Sequence, residues 1–172
     1  MHFHEAFARA LADQGITEVF GVLGEANMYI MSSFERVTAG RYSSFSNEEG
    51  AVLAADGYAR TSGRLGVATV THGPGLTNTV TALVEAVRNR TPLLLVAGDT
   101  ALVDRHNLQK IPQREVVVAT GAGFEQVRAA DTYAEDIAVA VRRAEVERRP
   151  IVLTVPFDLQ WTEVAYEPVA GR

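Results

Sequence analysis

Short, nearly unbroken apolar runs at 17–22, 66–71, 92–97 and 150–155, separated by stretches of helical periodicity, restrict this chain more than any other feature. A strand that is apolar on both sides must be covered on both sides. That is the condition of a parallel sheet between two layers of helices. Weaker strand patterns at 42–45 and 124–127 fill the remaining places. Helical patterns fall at 3–14, where Phe3, Phe7, Ala10 and Leu11 share one face, and at 27–37, 48–61, 76–88 and 133–147. A further short helix is expected after Pro112. The expectation is a three-layer α/β/α fold with a central, mostly parallel sheet of about six strands, forming one domain over 1–172. No repeat or internal linker interrupts the pattern, and the tail after residue 161 reads as an exit segment. In such sheets ligands bind beyond the carboxyl ends of the strands. The loops to search are therefore 23–27, 46–49, 72–78 and 98–112.

Composition removes several classes of function. The net charge is -5, with no basic run, which argues against nucleic acid or an anionic membrane as partner. The absence of cysteine excludes disulfides, thiolate nucleophiles and cysteine-bound zinc. His2, His4, His72 and His106 show no metal-ligand spacing, so no metal site is expected in this chain. Lys110 is the sole lysine, which leaves one candidate for Schiff-base chemistry. No apolar run approaches a membrane span, and the first residues lack a signal-peptide pattern. A cytoplasmic location is expected.

Ser46-Asn47-Glu48-Glu49 stands at the head of a helix. Ser46 and Glu49 have the spacing of a capping box, which gives Glu49 a structural task and leaves Glu48 without one. Glu48 is then either a first-turn acid favoured by the helix dipole or a functional acid. His72-Gly73-Pro74-Gly75 is either a tight strand-to-helix turn or a loop whose glycines let backbone approach a ligand. Glu25 reads equally as a charge at a helix start and as a carboxylate in a site. His72 reads as a surface loop histidine or an acid–base group. Asp56 and Arg60, four apart, read as an ordinary exposed helical pair.

Several segments together resemble one family. Asn47-Glu48-Glu49-Gly50-Ala51, followed by Ala54-Ala55-Asp56-Gly57-Tyr58-Ala59-Arg60, is similar to a stretch of the acetohydroxyacid synthase and 2-oxoacid decarboxylase type of thiamine-diphosphate enzyme. Four further stretches follow in that family's order: Gly15 to Val22, Thr71 to Asn78, Thr91 to Gly98 and Arg149 to Pro156. The resemblance covers about residues 1–160 and identifies the chain as the family's pyrimidine-binding domain. It implies that Glu48 hydrogen-bonds N1′ of the cofactor's aminopyrimidine and so promotes loss of the thiazolium C2 proton, in a dry pocket that raises a carboxyl pKa. It implies a cofactor-facing role for Gly24, Gly73, Pro74, Gly75 and Asn78. It also implies substrate-facing roles for His72, Glu25 and Gln109, with His106 a weaker candidate, and a small 2-oxo acid as substrate. Leu23, Glu25 and Asn47 depart from the family's usual residues.

The same resemblance implies thiamine diphosphate and Mg²⁺, the metal and diphosphate being held by a separate domain with a Gly-Asp-Gly motif. This chain has no such motif; Gly98-Asp99-Thr100 is the nearest. A partner carrying the diphosphate-binding domain is therefore expected, in a homo- or hetero-oligomer, with the chain a split subunit or an N-terminal domain. Two rivals remain. Gly73-Pro74-Gly75, with Asp99 beyond it, partly fits a dinucleotide-binding Rossmann fingerprint without the third glycine. A domain retained for assembly or regulation without turnover is the other.

Overall fold

The computed structural model describes residues 1–101 and 103–168, so Leu102 of the long loop and the last residues of the tail lie outside the described residues. The element order is α1 (Phe3–Asp13), β1 (Glu18–Gly21), α2 (Met28–Val37), β2 (Arg41–Ser44), α3 (Glu48–Ser62), β3 (Gly66–Val70), α4 (Pro74–Thr77), α5 (Val80–Arg88), β4 (Leu93–Asp99), α6 (Gln113–Ala119), β5 (Gly123–Gln126), α7 (Tyr133–Glu147), β6 (Pro150–Pro156) and a 3-10 helix (Phe157–Trp161).

The strands form one six-stranded sheet in the order β2-β1-β3-β4-β6-β5, with every pairing parallel. Residue alternation along β4 explains the layers. Leu94 and Val96 face a core built with Phe3, Phe7, Ile30, Phe34 and Ile137 of α1, α2 and α7. Leu93, Leu95 and Ala97 face a second core with Val52, Leu76, Leu83 and Val117 from α3 to α6. The central strands β3, β4 and β6 thus bury both sides, the condition read from their unbroken apolar runs, while the edge strand β2 stays partly exposed. The three-layer α/β/α expectation holds.

Chain order reverses between β1 and β3, which lie side by side: β1 leads outward to β2, and β3 resumes on the other side. The crevice beyond their carboxyl ends is where an open α/β sheet receives a ligand. The order differs from the 3-2-1-4-5-6 of dinucleotide-binding domains. The Gly73–Gly75 turn also opens only the four-residue α4, so the rival reading loses its structural support.

Two expectations for the framework are corrected. The helix foreseen over 76–88 is two helices, because Thr79 Oγ1 donates to Leu76 O at 2.7 Å and closes α4 before α5 begins. The tail after residue 161 does not leave the domain at once. Glu163 bridges to His2, Val164 N donates to Met1 O at 2.9 Å, and Tyr166 OH donates to Asp13 at 2.8 Å, so the segment lies against α1. No described helix is long and apolar enough to cross a membrane.

Candidate active site

The carboxyl edge of the sheet assembles two adjoining polar groups. The first is built on the head of α3. Asn47, not Ser46, caps this helix: its Oδ1 accepts the Gly50 N–H at 2.7 Å. The capping-box reading is thereby shifted one residue, Gly50 takes the place given to Glu49, and Glu48 becomes the first helical residue. Glu48 is half-buried and its Oε2 accepts a hydrogen bond from Asn78 Nδ2 at 3.0 Å. Oε1 takes no hydrogen bond among the described residues and faces Gly75, 3.7 Å from where a Cβ would stand. The dry pocket expected around Glu48 is not completed by the described residues alone.

Small residues keep the wall beside Glu48 open. A Cβ on Gly75 would stand 2.8 Å from Thr71 Cγ2, and one on Gly24 would stand 2.6 Å from Thr71 Cβ. Thr71 is therefore the post between the loop after β1 and the turn after β3. Gly73 has φ +60, a conformation costly for other residues, and a Cβ there would meet Gln109 O at 2.2 Å. Gln113, 5% exposed, holds the same turn: its Oε1 accepts the Gly73 N–H at 2.8 Å and its Nε2 donates to Gly98 O at 3.1 Å.

The second group lies beside the first. By extension of the β3–β4 register, in which Val70 pairs with Ala97, His72 stands opposite Asp99. His72 is 4% exposed, which corrects the reading of it as a surface histidine. Burial lowers its pKa, and the charges of Asp99 and Glu25 act against that shift. Burial raises the carboxyl pKa of Asp99, against the Thr100 N–H that its Oδ1 accepts at 2.8 Å. Its Oδ2 accepts a hydrogen bond from Gln126 Nε2 at 3.3 Å. Glu25 is exposed on a loop flanked by exposed Leu23 and Met28.

The loop after β4 is organised locally. Asp104 accepts from the His106 N–H and from Asn107 Nδ2, each at 3.1 Å, and Asn107 Oδ1 accepts the Gln109 N–H at 2.9 Å. Gln109 is exposed but abuts the Gly73 turn; His106 is exposed away from the other candidates' contacts. Glu48, Gly24, Gly73, Pro74, Gly75, Asn78, His72, Glu25 and Gln109 thus share one edge of the sheet.

Several residues were missed. Asn27 directly precedes a helix, which reads as a cap, yet its side chain turns back. Its Oδ1 accepts the Gly24 N–H at 2.7 Å, while Nδ2 donates to Val22 O at 3.0 Å and to Thr69 Oγ1 at 3.1 Å. Gln113 and Thr71 carry no motif that marks them. Asp56 was expected to be exposed, but it is 4% exposed and Thr91 Oγ1 donates to it at 2.6 Å; Arg60 adds a contact at 3.3 Å from outside. Among the described residues no three His, Asp or Glu side chains converge as metal ligands.

A family model described as thiamine pyrophosphate enzyme, N-terminal TPP binding domain, matches residues 1–122. The chain is 31% identical over 161 residues to a sulfoacetaldehyde acetyltransferase of Rhodobacter capsulatus, covering 92% of this chain and 27% of that protein. It is 32% identical over 163 residues to acetolactate synthase 1, chloroplastic, of Nicotiana tabacum, covering 91% and 24%. With 2-hydroxyacyl-CoA lyase 2 of Danio rerio it shares 43% identity over 114 residues, covering 65% and 18%. The chain spans about a quarter, or less, of the length of the curated relatives it matches.

Proposed function

This chain belongs to the thiamine pyrophosphate enzyme family, matching its N-terminal cofactor-binding domain, and from that premise we propose that it binds the aminopyrimidine half of thiamine diphosphate at the β1–β3 crevice, with Glu48 as the activating acid. The observation that carries the reading is the state of the Glu48 carboxyl. One oxygen is fixed by Asn78, and the other is uncommitted beside a wall kept open by Gly75. Such a cradle fits a flat heterocycle with a ring nitrogen that shares a proton with Glu48 Oε1. Asn78 orients the acid; Gly24 and Gly75 leave room for the ring.

When bound, thiamine diphosphate supplies a nucleophilic carbon and a sink for the electrons released on decarboxylation. The chain's own groups handle protons around it. Glu48 Oε1 holds one proton at the pyrimidine nitrogen. His72, whose pKa burial lowers, can accept a proton at its imidazole, and Glu25, exposed to water, can pass a proton from water to a substrate carbon. Gln109 stands over the Gly73 turn, where it can face the substrate. The reaction class is decarboxylation or carboligation of a small 2-oxo acid, in keeping with the synthase, transferase and lyase names of the relatives.

The half-exposed Glu48 and the exposed Leu23 and Met28 support a covering partner that excludes water. A diphosphate-binding domain would fill that place and would hold Mg²⁺ with the cofactor's diphosphate, in a homo- or hetero-oligomer of cytoplasmic location. Titration of the chain, assembled with such a domain, against thiamine diphosphate and Mg²⁺ tests the reading. Saturable binding, weakened by Glu48→Gln, is expected, with none of NAD. Binding of NAD in its place, or no turnover of any 2-oxo acid by the assembled protein, would overturn it.

A further inference from the structure

The loop over 22–27 carries two of the site's groups, Gly24 and Glu25, yet its outer support comes from the far end of the sequence. Asn27 clamps the loop from within the sheet, through Val22 O, the Gly24 N–H and Thr69 Oγ1. Ala26, 1% exposed, packs at the end of β4, where a Cβ on Gly98 would lie 2.3 Å from the Ala26 Cβ. Its carbonyl, cut off from water, accepts a hydrogen bond at 2.8 Å from Nε2 of Gln160 in the 3-10 helix Phe157–Trp161. Gln160 is 0% exposed, and its Oε1 has no hydrogen-bond partner among the described residues. A buried amide that leaves its own acceptor unpaired costs stability, and what Gln160 supplies is a donor to the Ala26 carbonyl.

The helix bearing Gln160 is fixed in turn. Trp161 packs edge-on against His4, with ring centroids 5.2 Å apart, and against Tyr29 at 4.6 Å. Those rings come from α1 and α2, so the 3-10 helix packs against both. The geometry points to Gln160 as a positioning residue that acts through Ala26 to set the height of Gly24 and Glu25 above the β1–β3 crevice. This rests on the proposed function for the meaning of that height, but the mechanical linkage is a property of the chain itself.

Amide hydrogen exchange and one acid-titratable variant test the linkage. Gln160→Met keeps the side chain's bulk and removes the donor. Exchange over 22–28 is expected to rise at least about tenfold, with β4 (Leu93–Asp99) unchanged. Gln160→Glu provides a donor only when its carboxyl is protonated. Burial raises that carboxyl's pKa, so loop protection should be kept at low pH and lost as the pH is raised, a dependence that Gln160→Met must lack. In the assembled enzyme Gln160→Met should lower kcat about tenfold, with a smaller fall in cofactor C2 proton exchange, which is assigned to Glu48. Unchanged loop protection in Gln160→Met, a uniform rise across the whole chain, or loop protection in Gln160→Glu with the same pH dependence as in Gln160→Met overturns the role of Gln160. Loss of the Glu48 assignment would leave the exchange results standing, so the two failures are distinguishable.

Discussion

The Asn78 amide donates to Glu48 Oε2 at 3.0 Å, tying the residue that closes α4 to the first residue of α3. Two segments that are 30 residues apart in sequence are thereby brought to one carboxylate, and a single amide decides which of its oxygens is left for a ligand.

Asn78→Ala should release Glu48 without unfolding the domain. A hydrogen bond to a charged group is worth about 1.5–3 kcal/mol at most, and less at an exposed pair. Cofactor C2 exchange in the assembled protein is expected to fall about tenfold, with a change in urea midpoint too small to unfold the chain. An unchanged exchange rate would show that Glu48 is oriented by something else.

Thr91→Val should destabilise the fold without touching the site. It leaves Asp56, 4% exposed, without its 2.6 Å partner, and only the outer contact with Arg60 remains. A loss of about 2–3 kcal/mol is expected in denaturant unfolding. A cost below about 0.5 kcal/mol would mean that Asp56 finds water in the folded state.

Gly73→Ala combines a positive φ with a Cβ placed 2.2 Å from Gln109 O. Backbone strain alone costs about 1–3 kcal/mol, and the contact with a main-chain oxygen has no flexible end to yield. Displacement of the 104–113 segment is expected, read as faster amide exchange there. Wild-type stability together with wild-type exchange would contradict the described turn.

Acidification should weaken the protein partly through His72. Burial holds its pKa below the ordinary 6.5, so between the folded value and 6.5 the unfolded chain binds more protons and stability rises with pH. The contribution is fully present above 6.5 and is lost as pH falls. Burial lowers His4 in the same direction and raises Asp99 in the opposite one, so the comparison is between wild type and His72→Gln. Urea midpoints from about pH 8 down to about pH 5 should fall more steeply for the wild type. Equal slopes would contradict a buried, neutral imidazole.

The framework was legible where one physical requirement dominates. The apolar run over 93–97, too short for a helix and bounded by Pro92 and Gly98, calls for a strand covered on both sides, and β4 is such a strand. The head of α3 was legible to within one residue, because Ser46 and Asn47 are both good caps and only the register of the Gly50 N–H chooses between them. Asp56 was misread because the i, i+4 spacing to Arg60 says nothing of Thr91, which the fold brings from 35 residues away. His72 and Gln160 share that limit. Their burial depends on layers and loops that meet only after folding, and no local spacing encodes it.

Glu48→Gln tests the central claim most directly, through exchange of the thiazolium C2 proton for deuterium in the protein assembled with thiamine diphosphate and Mg²⁺. Glu48 is half-buried at a helix start, where a lost charge costs under about 1 kcal/mol, so the variant should fold. A fall in exchange of about 10²–10⁴-fold, the range for a positioned proton-transfer group, is the predicted result. Exchange at the wild-type rate in a folded, cofactor-loaded variant would contradict the account.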